Sequence, residues 1–443
     1  MMFNNVLEFL QNKLEWLYKN SLFMQNLDRL ILLLICMVFI SSTFMSSDAI
    51  GFFALIVMFL TALNLVFKKG ERLDFNGFEI WLLAYFMIVI ISLFGSTLFM
   101  QSLKGFFKTF VYIGFYFSLV QYLKSHKNHI KWLVLIVAVT VGYEILSGFA
   151  QTFVHPEAIS TWQDTSMLNP EDVISRVYGT LKPLNPNLFG GYLIAGLPAV
   201  FGLVFYFLKD KNYKSAFAFL GLSVLGIFTV FQTGCRGAYL ALIFILGCMF
   251  VISAKFLWQK FKKLYTIIIS SLTALFFAGI ICVRSIRLRF LSIFAMRADS
   301  SNSFRFNVYQ SSLEMFKDNW LLGIGVGNKN FREIYGLYMK TGFDALSTYN
   351  VFLEIAVESG IFALIAFLGF LVTMCYKSVK YILTCSNIEN VIFVSISVTA
   401  ILAMMFHGLV DTVFFRPQIQ FIFWAYVAIL SVILPSKQNK LAE

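Results

Sequence analysis

Gly323-Ile-Gly325-Val-Gly327 and then Ala345-Leu-Ser-Thr-Tyr349-Asn350-Val-Phe-Leu-Glu354-Ile-Ala-Val-Glu358 belong to one polar stretch, residues 284–360. It opens with Arg284, Arg287, Arg289, Arg297 and Arg305. On both sides the chain consists of apolar runs of about twenty residues, each long enough to cross a hydrocarbon core of about 30 Å. A polar segment inside such a chain is where recognition or chemistry belongs, because loops held on a rigid scaffold carry most function.

Composition points the same way. Hydrophobic residues make up 59% of the 443 and charged residues 13%, with a mean hydropathy of +0.78, whereas soluble domains carry about 25% charge. The expected fold is all-α, a polytopic transmembrane helical bundle. The net charge of +12 needs no nucleic acid partner, since membrane proteins keep lysines on the cytoplasmic side. No removable signal sequence is expected, because the first span follows charged residues and lacks a small-residue cleavage site. Six cysteines are scattered, among them Cys36, Cys248, Cys282 and Cys375 inside apolar runs. They show neither a disulfide framework nor a zinc spacing, and no metal or cofactor is expected.

Working outward from the polar stretch gives the organisation. Residues 1–28 hold an amphipathic segment with Phe3, Leu7, Leu10, Leu14 and Leu17 on one face and Glu8, Lys13, Glu15 and Lys19 away from it. That pattern suits a helix lying in the cytoplasmic interface. The membrane domain is 29–435, with spans expected at 29–46, 48–67, 77–96, 103–122, 130–152, 187–208, 214–232, 237–255, 264–283, 349–374, 388–408 and 417–435, about twelve in all. Residues 153–186 and 284–348 are the extracytoplasmic loops, the second carrying helices between spans nine and ten. Residues 436–443 form a cytoplasmic tail.

Alternate connections carry Lys68 and Lys69, then Lys124, Lys127 and Lys131, then Lys209, Lys211 and Lys214. Lys255, Lys260, Lys262 and Lys263 follow, then Lys377 and Lys380, then Lys437 and Lys440. This alternation is expected to place both termini in the cytoplasm. Nine of the eleven arginines fall on the opposite face: Arg176, Arg236, the group from Arg284 to Arg305, Arg332 and Arg416. Arginine differs from lysine by a planar fork that grips carboxylate or phosphate oxygens bidentately. The set therefore predicts an anionic ligand on the outer face.

Within that face, Asn185-Pro186-Asn187 reads as a turn that caps the following helix. Ser300-Ser-Asn-Ser303 starts a helix bearing Phe304, Val308 and Met315. Arg305 in its first turn opposes the helix dipole, so it should answer to a partner elsewhere. The triple-glycine segment lacks a Walker lysine and dinucleotide spacing, and is expected to be a turn between helices. Asn350, Glu354 and Glu358 share one helical face, as do His407 and Asp411. Asp411 could pair with Arg416, and Lys108 with Glu144. No serine–histidine–aspartate set or nucleotide site is apparent. The candidates are Glu354 and Tyr349 for catalysis, with Arg236, Arg305, Arg416, Asn187, Asn350, His407 and Asp411 for substrate binding.

These residues resemble the bacterial O-antigen ligase/polymerase membrane superfamily. The resembling features are Asn185-Pro-Asn187, the turn at Arg236, Arg305 ahead of Gly323-Ile-Gly-Val-Gly327, and Tyr349-Asn350…Glu358-Ser-Gly360. Within it the chain is similar to the cyanobacterial inorganic-carbon transporter family, through Leu291-Ser-Ile-Phe-Ala, Asp299-Ser-Ser-Asn-Ser-Phe-Arg305 and His407-Gly-Leu-Val-Asp-Thr-Val-Phe-Phe-Arg-Pro417. The superfamily resemblance implies transfer of a glycan from an undecaprenyl-diphosphate carrier at the outer leaflet, with arginines on the diphosphate and a histidine beside an asparagine as base. Arg236 and Arg305 match the arginines, but Tyr349 stands where that histidine is expected. An unperturbed tyrosine, near pKa 10, is a poor base at neutral pH. The transporter resemblance implies bicarbonate as the ligand instead. Expected partners are membrane lipids and either a polyprenyl-diphosphate-linked glycan or a small anion.

Overall fold

The computed structural model describes residues 2–71, 78–154, 176–282, 287 and 300–435, and every regular element among them is helical. In chain order they are α1 (Met2–Asn20), α2 (Leu22–Gln25), α3 (Leu27–Ser41), α4 (Ser47–Phe67), α5 (Glu79–Gly95), α6 (Phe99–Ser125) and α7 (Ile130–Val154). These are followed by α8 (Pro186–Lys209), α9 (Tyr213–Gln232), α10 (Arg236–Cys282), α11 (Ser300–Asp318) and α12 (Asn328–Tyr335). The last three are α13 (Val351–Thr384), α14 (Ile388–His407) and α15 (Pro417–Ile433). Among the described residues, eight helical stretches are long and apolar enough to cross a membrane, and α5 and α15 are shorter apolar helices.

The span expected at 237–255 and residues 264–282 of the next lie in one helix, α10, of which Arg236–Lys255 is the candidate span among the described residues. The connection Phe256-Leu-Trp-Gln-Lys-Phe-Lys-Lys263 contains no glycine or proline, so nothing in it stops helix propagation. Arg284, Arg289 and Arg297, most of loop 153–186 and the tail 436–443 lie outside the described residues.

Helix α8 is the axis of the bundle. It is apolar all round, and 94% of its most apolar window is buried, which is the behaviour of a helix surrounded by others rather than one facing lipid. Without a hydrophobic drive between helices in lipid, close backbone approach has to supply the contact. At Gly196, a Cβ would stand 2.1 Å from the Val141 side chain of α7, so a larger residue would push those two helices apart.

Chain direction and contacts define two ends. At one end Thr180 donates to the Thr43 carbonyl (2.7 Å) and the Arg176 Nε to the Thr233 carbonyl (2.8 Å). The Val351 N–H there donates to the Gly408 carbonyl (2.7 Å). This end gathers the α3–α4, α5–α6, α9–α10 and α14–α15 turns with the starts of α8 and α13; we call it the site end. Lys68, Lys127 and Lys211 lie in connections at the far end, and Lys124, Lys209 and Lys214 in the helix termini that flank them. There Lys68 pairs with Asp28 (2.9 Å) and Glu71 (3.4 Å), and Lys209 with Glu389 (2.8 Å). Helix α1 docks on α4 through Leu7 and Gln11. The Gln11 amide donates to Leu65 and Glu71 carbonyls (2.9 and 3.0 Å). Val6, Phe9, Leu10, Trp16 and Leu17 stay exposed.

The triple-glycine segment turns out to repair a broken helix. Helix α13 is interrupted at Gly360, whose φ of 80° and ψ of 177° are not helical. A break leaves backbone groups unpaired, and at membrane depth these must find protein partners. The 320–327 segment supplies them. Ile324 and Gly325 N–H donate to the Val357 and Glu358 carbonyls (3.0 and 2.9 Å), and Ile361 N–H donates to the Trp320 carbonyl (2.9 Å). Gly327 N–H donates to Glu358 Oε1 (2.8 Å), and Ser92 Oγ to the Glu358 carbonyl (2.9 Å). At Gly360 a Cβ would sit 2.2 Å from the Leu321 carbonyl oxygen, which together with positive φ restricts the position to glycine.

Candidate functional site

Helix α11 is in place from Ser300, where the described residues resume, and buries Val308 and Met315 against Phe331 and Tyr335 of α12. This packing aims Arg305 toward the α14–α15 turn. The sequence places Arg305 in the first turn, but α11 is already helical at Ser300, which sets it in the second turn. Its partner is Asp411: Arg305 Nη2 lies 3.7 Å from Asp411 Oδ2, with side chains 21% and 7% exposed. That separation is an ion pair rather than a hydrogen bond. Asp411 is further fixed by the Val413 N–H (3.2 Å). The expected Asp411–Arg416 pairing therefore gives way to Arg305. Arg416 is exposed and immediately precedes Pro417 at the start of α15.

Arg305 keeps unused donor capacity. Its Nε is buried without a hydrogen-bond partner among the described residues, and Nη1 makes only a long contact to Ser301 Oγ (3.3 Å). A buried, unmatched guanidinium N–H is costly unless something else accepts it. The guanidinium carbon lies 5.7 Å from the Tyr349 ring centre, a cation–π distance. Tyr349 takes up φ 55°, an αL conformation uncommon outside glycine and found at constrained sites. The Tyr309 hydroxyl donates to its carbonyl (3.3 Å). Burial, and secondarily Asp411, pushes the Tyr349 phenol above its ordinary value, so at neutral pH it is a proton-bearing donor and not a base.

Asn350 caps α13. Its side-chain oxygen accepts from Leu353 N–H (2.9 Å) while its Nδ2 donates to the Leu409 carbonyl (3.0 Å). It is thus a structural tie between α13 and the end of α14, with both polar atoms occupied. Glu354 is 2% exposed and accepts from the backbone N–H and hydroxyl of Thr348 (3.1 and 3.4 Å). It braces the 348–350 turn from beneath. Glu358 braces the triple-glycine segment, so the acidic stripe faces the protein interior and not an open cavity.

His407 is 3% exposed and ends α14 beside the α9–α10 turn; its Nε2 lies 3.6 Å from Cys235 Sγ. A Cβ on Gly237 would come within 3.3 Å of the same nitrogen, so the imidazole is enclosed. Asn185 caps α8 through Asn187 and Leu188 N–H (2.7 and 3.2 Å), as its turn sequence predicts. Asn187 Oδ1 then accepts from Arg176 Nη2 (2.6 Å). Arg236 opens α10 directly after Cys235 and is half-buried. The expected Lys108–Glu144 neutralisation does not form. Lys108 is exposed, and Glu144 accepts from the Thr180 hydroxyl and N–H (2.5 and 3.0 Å).

The structure thus brings Arg305, Tyr349 and Asp411 into direct contact, with His407 and Cys235 beside the same turn. Arg176 was legible only as one member of an arginine set, and Cys235 only as the neighbour of Arg236. Thr348 carried no signal, because its role depends on a turn that the sequence does not announce.

Residues 221–368 match the family model described as O-antigen ligase, Wzy_C. The match runs from within α9 to within α13 and covers Arg236, Arg305, Tyr349, Asn350 and Glu354; Asn187, His407, Asp411 and Arg416 lie outside it. No curated protein matches the chain. The described chain is helical, with stretches long and apolar enough to cross a membrane, and its residues 221–368 are similar to the O-antigen ligase family domain.

Proposed function

We propose that the protein binds the diphosphate of a polyprenyl-linked glycan at Arg305 and transfers the glycan to an acceptor hydroxyl. The observation that carries this reading is the Arg305 guanidinium itself: pinned by Asp411, flanked by Tyr349, and with a buried donor left over. A diphosphate supplies acceptor oxygens for that fork. The lysine-bearing connections gather at the far end, which by the positive-inside rule faces the cytoplasm and turns the site end outward.

In the proposed reaction the bond between the sugar's anomeric carbon and the carrier diphosphate breaks, and the electron pair leaves with the diphosphate. A glycosidic bond forms to the acceptor oxygen, whose proton passes to Asp411, the carboxylate beside Arg305. Tyr349 donates a hydrogen bond to the departing diphosphate. Glu354 is committed to Thr348 and positions Tyr349 and Asn350. Arg236 and Arg416 add positive charge to the same end, and His407 supports the α14 terminus from which Asp411 projects.

The alternative, bicarbonate transport, would find support in the interruption of α13, since discontinuous helices form ion sites in transporters. Here, however, the carbonyls and N–H groups at the break are bonded to the 320–327 segment. The interruption serves packing, which favours the glycan reading. Deletion cells should show shortened or missing surface glycan with carbon uptake unchanged under limiting bicarbonate. Normal glycan with lost uptake, restored by reconstituted protein alone, would reverse the assignment.

A further inference from the structure

Two lysines of α6 are used by nothing in the bundle. Lys104 and Lys108 are exposed, and among the described residues neither makes a hydrogen bond or an ion pair. Lysines elsewhere in the candidate spans lie toward the far end, whereas this pair stands in a site-end half. Sorting of positive charge between the two ends therefore does not account for it. With a rise of about 1.5 Å per residue, the two lie roughly 8 and 14 Å along the axis from Phe99. Phe86, halfway along α5, packs against Phe106 and Phe110 (ring centres 5.6 and 6.5 Å apart), so Lys108 is level with the middle of an apolar helix. Packing fixes which way the pair faces. Ser102 is buried and bonded to Ser96 (Oγ to Oγ 2.7 Å), and a Cβ on Gly105 would stand 2.3 Å from the Val326 carbonyl oxygen. That side of α6 is held against the 325–327 segment. Lys104 and Lys108 are turned out of the bundle beside Phe107 and Phe110, which are 51% and 41% exposed.

An ionisable side chain at membrane depth is costly unless it meets a partner, and two lysines four residues apart on a helix repel one another. An anion between them removes both costs. Their Cβ atoms stand about 5–6 Å apart, a spacing at which one phosphate accepts from both ammonium groups. Helical side chains lean toward the helix N-terminus. For α6 that is the site end, so both ammonium groups reach toward the headgroups of that leaflet while their stems cover apolar surface. Phe107 and Phe110 supply an apolar wall beside them. The occupant is therefore anionic at its head, apolar below it and native to the membrane. A second copy of the chain fits less well. Among the described candidate spans, Asp48 is the one carboxylate exposed at the site end, one anion for two cations. We infer that Lys104 and Lys108 hold the phosphate of an anionic phospholipid in the leaflet at the site end, its acyl chains lying along Phe107 and Phe110. This is independent of the reaction proposed at Arg305.

The test offers purified protein an equimolar mixture of phosphatidylglycerol and phosphatidylcholine with matched acyl chains, and counts retained lipid by native mass spectrometry. Wild type should keep a phosphatidylglycerol with about tenfold preference over phosphatidylcholine. The double variant Lys104→Gln/Lys108→Gln should lose that preference, and Lys104→Arg/Lys108→Arg, which keeps both charges, should retain it. All four changes are at exposed positions, and gel filtration checks that the variants stay folded. Lys214→Gln, an exposed lysine at the far end, should bind as wild type does. Equal retention of the two lipids by wild type, an undiminished preference in the glutamine variant, or a matching drop in Lys214→Gln overturns the inference. So does displacement of the lipid by undecaprenyl phosphate at a small fraction of the phosphatidylglycerol concentration, which assigns the face to a carrier. A lysine-dependent dimer that excludes lipid overturns it too, and assigns the face to a second copy.

Discussion

Replacing Gly360 by alanine tests whether the triple-glycine segment repairs the break in α13. The added Cβ would stand 2.2 Å from the Leu321 carbonyl oxygen and 2.6 Å from its carbon, at φ +80°. Holding a non-glycine residue there costs about 1–3 kcal/mol. Relieving the overlap means moving the 320–325 backbone, which puts three hydrogen bonds at risk: Ile361 to Trp320, Ile324 to Val357, and Gly325 to Glu358. At about 1 kcal/mol each, the combined loss is about 4–6 kcal/mol, at the severe end for one substitution. Gly221→Ala is the matched control. Gly221 lies in α9 with nothing within 4 Å of a built Cβ, and alanine there should gain about 0.5–1 kcal/mol of helix propensity. Thermal challenge in detergent, followed by the fraction of protein still monodisperse on gel filtration, should rank Gly221→Ala at or above wild type and Gly360→Ala far below. Equal melting of the two variants would refute the packing role.

Four further outcomes follow from the geometry. Asp411→Asn removes the anion competing for Arg305, so diphosphate binding should strengthen by up to about tenfold at low salt and less at high salt, while transfer falls sharply; unchanged transfer would clear Asp411 of the proton role. Glu144→Ala leaves the Thr180 N–H unsatisfied, while the Thr180 hydroxyl keeps the Thr43 carbonyl as acceptor, and should cost about 1–3 kcal/mol in thermal stability, whereas Lys108→Gln should change stability little. Because burial holds Tyr349 protonated, Tyr349→Phe should lower the rate without altering the pH profile from neutral to mildly alkaline pH. The stability linked to the Tyr349 proton is complete below the unfolded tyrosine value near 10, and is lost only as pH rises through its raised folded value. Finally, maleimide should label Cys282, which is exposed, and spare Cys235, which is buried; rapid modification of Cys235 in native protein would contradict the closed turn beside His407.

The helical class was legible because apolar runs of membrane length announce themselves, and the α8 cap because Asn185-Pro186-Asn187 states its own chemistry. Arg305 was legible as a member of the outer arginine set; the dipole conflict read for it does not carry over, because α11 is already helical at Ser300 and Arg305 falls in the second turn. The identity of its partner was not legible, since Asp411 lies in a different turn more than a hundred residues away, and Arg416 looked nearer along the chain. The spacing of the acidic stripe was legible, but its surroundings were not. Helical periodicity places Glu354 and Glu358 on one face, but only tertiary packing shows that Thr348 and Gly327 occupy that face. Likewise, nothing local marks Gly360 as the break that explains Gly323, Gly325 and Gly327.

The most direct test of the central claim is the affinity of purified protein for undecaprenyl-diphosphate-linked glycan, compared between wild type and Arg305→Lys. Lysine keeps the charge but loses the planar fork and the buried Nε donor. The account predicts that binding weakens at least about tenfold, a loss of about 1.4 kcal/mol or more, with folding intact by gel filtration. Equal affinity in the two proteins would show that Arg305 does not hold the diphosphate.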